Sequence, residues 1–232
     1  MSGFKKGLKD GIPIALGYLS VSFTFGLQGV KGGLSWWETV LISICNVTSA
    51  GQFAGLDIML SGGGFWIEMA CAQFIINLRY ALMSISLSQK ADKSLSGIHR
   101  WLVGFGVTDE IFVMAMGNIG EVSRQYMYGL IALPVAGWSL GTLIGAAAGK
   151  ILPEIVISAL SIAIYGMFLA IIIPPAKKNK GIAMAALLSC CFKWLPILNK
   201  VSGGFSIIIC TVLSAGIMAA LMPVKNEEDG QC

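Results

Sequence analysis

The sequence predicts an all-α, polytopic helical membrane protein forming one transmembrane domain over residues 1–232. Roughly six full spans and two re-entrant or broken elements are expected. Three observations predict this. Charge is absent from 20 residues between Asp10 and Lys31, 25 between Arg124 and Lys150, 22 between Glu154 and Lys177, and 24 between Lys200 and Lys225. Each gap is long enough to cross a hydrocarbon layer of roughly 30 Å as a helix. Composition agrees: 56% of residues are hydrophobic and 12% charged, with mean hydropathy +0.78, about half the charge of a soluble domain. Finally, Asp57, Arg79, Asp109, Glu110 and Lys193 interrupt the other apolar stretches. Charge in lipid is costly, so such residues imply a polar interior with a function.

The elements fall in order at 12–30, 36–60, 64–88, 101–120, 125–149, 155–175, 181–199 and 203–223. Residues 1–10 form a cytoplasmic N-terminus and 224–232 a polar tail. The first span is read as retained: Pro13, Tyr18 and Ser20 interrupt any signal-peptide core, and no small-x-small cleavage site follows. The element at 36–60 has a polar, glycine-bearing centre, Asn46 to Gln52. The element at 101–120 carries Gly104, Gly106, Thr108, Asp109, Glu110 and Gly117. Non-helical backbone at membrane depth is tolerated only beside protein or a water-filled cavity. Ordinary helices with inward polar faces are the alternative for both.

Lysine and arginine set the orientation, since cytoplasmic loops carry the excess. Eight simple crossings put Lys90, Lys93, Arg100, Lys177, Lys178 and Lys180 on conflicting sides. The conflict disappears if 101–120 and one element within 36–88 each enter and leave on one side. Then 11 basic residues lie inside, Lys31, Lys150 and Lys200 lie outside, and Arg79 and Lys193 stay in the membrane, which accounts for all 16. Both termini are then cytoplasmic. Two such hairpins, one from each side, match the paired broken elements of an inverted-repeat transporter, although no internal sequence repeat is evident.

Asn46, Thr48, Ser49 and Gln52 offer hydroxyl and amide groups for the ammonium or carboxylate of a zwitterion, with Asn77 beside them. Helix–helix hydrogen bonding is the other use of these groups. Arg79 is too deep for easy snorkelling and needs an acidic partner, Asp57, Asp109 or Glu110; it can anchor a substrate carboxylate or form a structural ion pair. Asp109 and Glu110 are adjacent, and mutual repulsion suits one of them to carrying a proton. Asp57 is a third candidate for proton coupling, and charge balance for Arg79 or Lys193 is the alternative. Gly137, Gly141, Gly145 and Gly149 form a stripe for close helix packing, within the chain or against a partner. Trp36, Trp37, Trp66, Trp101 and Trp138 read as interfacial aromatics. Lys193 reads as a snorkelling lysine.

Six cysteines show no CxxC pair, and the single histidine, His99, lies in a basic loop. No metal site or cofactor is expected, and a membrane enzyme lacks a nucleophile–base set. The net charge of +4 gives no case for nucleic acid. A passive channel and a non-transporting subunit remain the other readings.

The stretches KDGIPIALGY (9–18), FTFG (23–26), TSAGQFAG (48–55), INLRYALMSISL (76–87) and VTDEIF (107–112), in this order, resemble the AzlC family of branched-chain amino acid exporters. The resemblance implies a bacterial inner-membrane protein that exports leucine, isoleucine and valine, sometimes methionine. It also implies a small hydrophobic partner subunit of the AzlD type and drive from the proton-motive force. The family usually has histidine after the NLR triplet, where this chain has Tyr80. That departure shifts any proton role toward Asp109 and Glu110. No GxxxxGK[ST] motif is present, so ATP hydrolysis is not expected.

Overall fold

Every regular element among the described residues is an α-helix. The computed structural model describes residues 3–61, 66–149, 179–196 and 203–222, together with 153, 155, 169, 172, 173, 176, 177 and 201. The helices are α1 (Gly3–Lys31), α2 (Trp36–Cys45), α3 (Ser49–Leu60), α4 (Trp66–Lys90), α5 (Ile98–Phe105), α6 (Asp109–Gly117), α7 (Arg124–Ala148), α8 (Lys180–Lys193) and α9 (Gly203–Leu221). Three of them, α1, α4 and α7, are long and apolar enough to cross a membrane. Most of the span expected at 155–175, and the tail at 224–232, lie outside the described residues.

Apolar side chains on α4 recur at the surface at helical spacing: Phe74, Leu78 and Leu82 are all exposed. An aqueous surface disfavours such a stripe, and a hydrocarbon one favours it. The protein is membrane-embedded.

The chain divides into two compact units, residues 1–56 with 76–164, and residues 57–75 with 165–232. In the second unit α8 packs on α9, and Lys193 Nζ donates to the buried Ser206 Oγ at 2.9 Å. Lys193 therefore has a protein partner where sequence suggested a snorkelling side chain. Asp57 is exposed and falls in this unit.

The first unit is built on α1 against α7. Their contact is glycine-lined on both sides. A Cβ at Gly7 would lie 2.2 Å from Tyr126 O, at Gly26 2.2 Å from Thr142 O, and at Gly145 1.9 Å from Phe23 O. Only the missing side chains let the two backbones meet. Gly137 and Gly141 face Ala15 and Leu19 in the same way, so the stripe on α7 packs against the chain's own first helix. Gly149, at the end of α7, has only ordinary contacts.

This contact explains why α1 starts at Gly3 and not near residue 12. Lysine is a good helix former, Gly7 is clamped to α7, and the Tyr126 hydroxyl donates to Asp10 Oδ2 at 3.0 Å. Local signals set other starts. Ser35 and Glu38 form a reciprocal capping box for α2, and Ser123 caps α7.

Both elements expected to be interrupted are broken helices. The first breaks between α2 and α3 at 46–48, whereas α4 is a continuous 25-residue helix. The second breaks between α5 and α6 at 106–108. Its halves, 8 and 9 residues, are each only about 12–14 Å long. It returns to where it began. At its start His99 bonds Arg124 Nη1 at 3.0 Å and the Tyr128 hydroxyl at 2.6 Å. At its end the Asn118 carbonyl accepts from Lys90 Nζ at 2.6 Å, and Lys6 Nζ donates to the Asn118 side chain. The starts of α1, α5 and α7 and the ends of α4 and α6 therefore share one basic end of the unit.

Candidate functional site

The two breaks carry the same dipeptide: Asn46-Val47-Thr48 in one and Gly106-Val107-Thr108 in the other. In each, the valine and the threonine are buried and the threonine immediately precedes the second half-helix. Breaking a helix leaves carbonyls at the end of one half and N–H groups at the start of the next without helical partners. The starts of α3 and α6 also carry the positive ends of their helix dipoles.

Between the breaks lies a cavity of about 140 Å³ lined by Cys45, Asn46, Val47, Thr48, Asn77, Tyr80, Gly104, Phe105 and Val107. A water takes up about 30 Å³ of liquid, and drug-sized ligands need roughly 300 Å³ or more, so the space suits a small solute. Asn46, Thr48, Asn77 and Tyr80 are the polar residues of its lining, and Val47, Phe105 and Val107 are among the apolar ones. Tyr80 is ten residues before Lys90, about 15 Å along α4 from the basic end.

A chain of hydrogen bonds leaves this cavity. Thr48 Oγ1 donates to Asn77 Oδ1 at 3.0 Å, and the Tyr80 hydroxyl donates to Thr48 Oγ1 at 3.2 Å. Arg79 Nη2 donates to the Tyr80 hydroxyl at 3.3 Å and pairs with Asp109 Oδ2 at 2.9 Å. The guanidinium also lies 5.0 Å from the Tyr80 ring centre. Three residues of α4 thus tie the first break to the first residue of α6.

Glu110 has different company. The Tyr18 hydroxyl lies 2.5 Å from Glu110 Oε2 and 2.5 Å from Thr108 Oγ1. A phenol has one proton, so with Glu110 ionised Tyr18 donates to the carboxylate and Thr108 donates in return. Thr108 sits at the N-cap position of α6 but makes no capping bond through its side chain; its hydroxyl serves Tyr18 instead. Asp109 and Glu110 in the first turn complement the helix dipole there.

Gln52 is held on both ends of its amide. Its Nε2 donates to Ser43 Oγ at 2.9 Å, and its Oε1 accepts from Trp138 Nε1 at 2.8 Å. Ser43 in turn bonds Thr142 Oγ1 at 2.7 Å. Trp138 packs edge-on against Tyr18, ring centres 5.3 Å apart. Trp138 is only 2% exposed, which corrects its reading as an interfacial aromatic: it lies mid-helix between Tyr18 and Gln52. Trp36, Trp37, Trp66 and Trp101 are exposed.

The structure thus brings Asn46, Thr48 and Asn77 to the cavity, and Arg79 and Asp109 to a pair beside it. Glu110 and Gln52 sit in adjoining networks. Ser49 opens α3 outside the cavity lining, and Asp57 belongs to the other unit. Sequence reasoning gave Tyr18, Tyr80 and Trp138 no binding or positioning role. A tyrosine in the middle of a charge-free span was the available signal for Tyr18. Among the described residues no group of three His, Cys, Asp or Glu is placed to hold a metal ion.

The AzlC protein family model matches residues 13–152, which include both breaks, the cavity and the ion pair. An uncharacterized membrane protein of Archaeoglobus fulgidus is 33% identical over 98% of this chain and 96% of its own length. The inner membrane protein YgaZ of Escherichia coli is 27% identical over 97% of this chain and 94% of its own. An uncharacterized membrane protein of Helicobacter pylori is 24% identical over 65% of this chain and 68% of its own. No solved structure matches. With a match spanning more than half of its residues, and carrying the residues that build the site, this chain belongs to the AzlC family.

Proposed function

We propose that the protein is the large subunit of a two-component secondary transporter that exports branched-chain amino acids in exchange for protons. One observation carries the reading: a small cavity at the meeting of two helix breaks, its lining divided between polar and apolar residues. That division suits the charged head and branched aliphatic tail of leucine, isoleucine or valine. Asn46, Thr48, Asn77 and Tyr80 would take the zwitterionic head. The partner would be a small hydrophobic AzlD-type subunit, and the site a bacterial inner membrane, the location named for the YgaZ relative. Seven basic residues at the shared end of the first unit (Lys5, Lys6, Lys9, Lys90, Lys93, Arg100, Arg124) support a cytoplasmic placement of that end.

Exchange requires that proton and substrate bind alternately. Protonating Asp109 would release Arg79, a cation that attracts a carboxylate, so proton and amino acid would bind together; that is the sign of cotransport. Glu110 accepts from the Tyr18 hydroxyl and pairs with no cation among the described ion pairs. Glu110 lies outside the cavity lining, so its proton would load the empty carrier for its return and would leave when the substrate binds, without taking the substrate's place. Glu110 is therefore assigned the exchanged proton, and Asp109 the task of holding Arg79.

The test is efflux from cells loaded with dipeptides containing leucine, isoleucine or valine, with the chain and its small partner co-expressed. Release that is faster than control and stopped by a protonophore supports the proposal. Release that is faster but insensitive to the protonophore indicates a passive channel, and release equal to control removes the substrate assignment.

A further inference from the structure

A second, larger space lies against α4 and α5. It is a groove of about 810 Å³, lined mainly by Ile85, Leu87, Ser88, Arg100, Trp101 and Val103. Three more of its lining residues, Gly104, Phe105 and Val107, also line the small cavity between the breaks. The groove and the cavity therefore share a wall. The groove starts at the basic end, where α4 finishes and α5 begins, and follows α5 inward to the break.

The glycines on this path differ in a telling way. A Cβ at Gly106 would meet Ile131 Cγ2 at 2.4 Å, so that glycine is required for packing. A Cβ at Gly104 would meet nothing within 4 Å. Packing does not explain Gly104; it borders open space on the wall between groove and cavity. At the outer end Arg100 is exposed, with its Nε donating to Leu95 O at 3.0 Å. A guanidinium fork suits a carboxylate, and beyond it the walls are mainly apolar, with Ser84 and Ser88 the polar side chains on α4.

We infer that the groove between α4 and α5 is the route by which a small amphipathic acid reaches the cavity from the basic end, with Gly104 and Phe105 forming its narrow point. The inference rests on the transporter reading for its cargo. Arg100 meets the carboxylate at the mouth, Ile85, Leu87 and Val103 accommodate the aliphatic tail, and Gly104 leaves the width needed beside Phe105.

Cys45 lines the cavity and can report on the route. The experiment uses the full chain with its other five cysteines, Cys71, Cys190, Cys191, Cys210 and Cys232, changed to serine. Membrane vesicles of both orientations are treated with a membrane-impermeant trimethylammonium methanethiosulfonate. Labelling of Cys45 from the basic face is expected, and Gly104→Leu should slow it at least about tenfold, the effect of an added barrier of about 1.4 kcal/mol. A second reporter, Ser88→Cys in the groove and without Cys45, should label at the same rate with and without Gly104→Leu, which shows that the variant keeps its fold. Equal labelling of Cys45 in both backgrounds would overturn the route and leave the groove to lipid chains. Labelling of Cys45 from the opposite face alone would also overturn it. Added leucine should protect Cys45; if Gly104→Leu slows labelling but leucine does not protect, the route stands and the cargo assignment fails.

Discussion

Arg79 Nη2 lies 2.9 Å from Asp109 Oδ2, joining the middle of α4 to the first residue of α6. The pair places a fixed cation next to Tyr80, and Tyr80 passes the connection to Thr48 at the other helix break. Cavity and ionisable pair are thus one bonded unit.

Asp109→Asn leaves Arg79 without its counter-charge. Losing one partner of a fully buried pair costs about 3–5 kcal/mol and of an exposed pair under about 1 kcal/mol. These side chains are 42% and 30% exposed, so a loss of about 1–3 kcal/mol is expected in thermal unfolding in detergent. Pairing the change with Arg79→Gln should recover most of that stability but not efflux. A double variant as unstable as the single one would show that the pair is not the cause.

Glu110→Gln should separate binding from drive. Leucine-for-leucine exchange in vesicles should continue, while an imposed pH gradient no longer moves leucine uphill. Asp109→Asn should reduce both together. If Glu110→Gln keeps gradient-driven accumulation, the exchanged proton is carried elsewhere, with Asp57 the next carboxylate to change.

Trp138→Phe removes the donor to a buried amide oxygen on Gln52. A buried polar group left unsatisfied costs about 1–3 kcal/mol, and unfolding should show that loss. Neither residue lines the cavity, so the KM for leucine should stay within about twofold, a change worth less than about 0.5 kcal/mol. A large rise in KM with unchanged stability would instead place Gln52 in the binding site.

Gly145→Ala drives a methyl into the Phe23 carbonyl, and overpacking of this kind costs about 1–3 kcal/mol or more. Gly17→Ala on α1 meets nothing within 4 Å and should stabilise the helix by up to about 1 kcal/mol. Comparing yields and melting temperatures of the two variants tests whether α1 and α7 meet as described; equal behaviour would contradict it.

Much of this arrangement was legible in the sequence because it rests on local chemistry. The charge-free stretches that became α1 and α7 follow from what lipid excludes. Polar and glycine residues at 46–52 and 104–110 marked the two breaks, since an uninterrupted lipid-facing helix has no use for them. The Arg79–Asp109 pair followed from the cost of a lone guanidinium, which named three acidic candidates but could not choose among them. Pairing is a matter of which helix faces which, and spacing along one helix does not carry that. The same limit hid Tyr18 and Trp138, whose partners are about 90 residues away in sequence. It also left the glycine stripe on α7 without an address until Ala15, Leu19 and Phe23 of α1 supplied one.

The most direct measurement is proton and leucine movement in the same proteoliposomes, reconstituted with the chain and its small partner and loaded with leucine and a pH-sensitive dye. Leucine leaving the vesicles should acidify the lumen, and Glu110→Gln should abolish the acidification while leucine exchange persists. Leucine outflow with no pH change, or with alkalinisation of the lumen, would contradict proton exchange at this site.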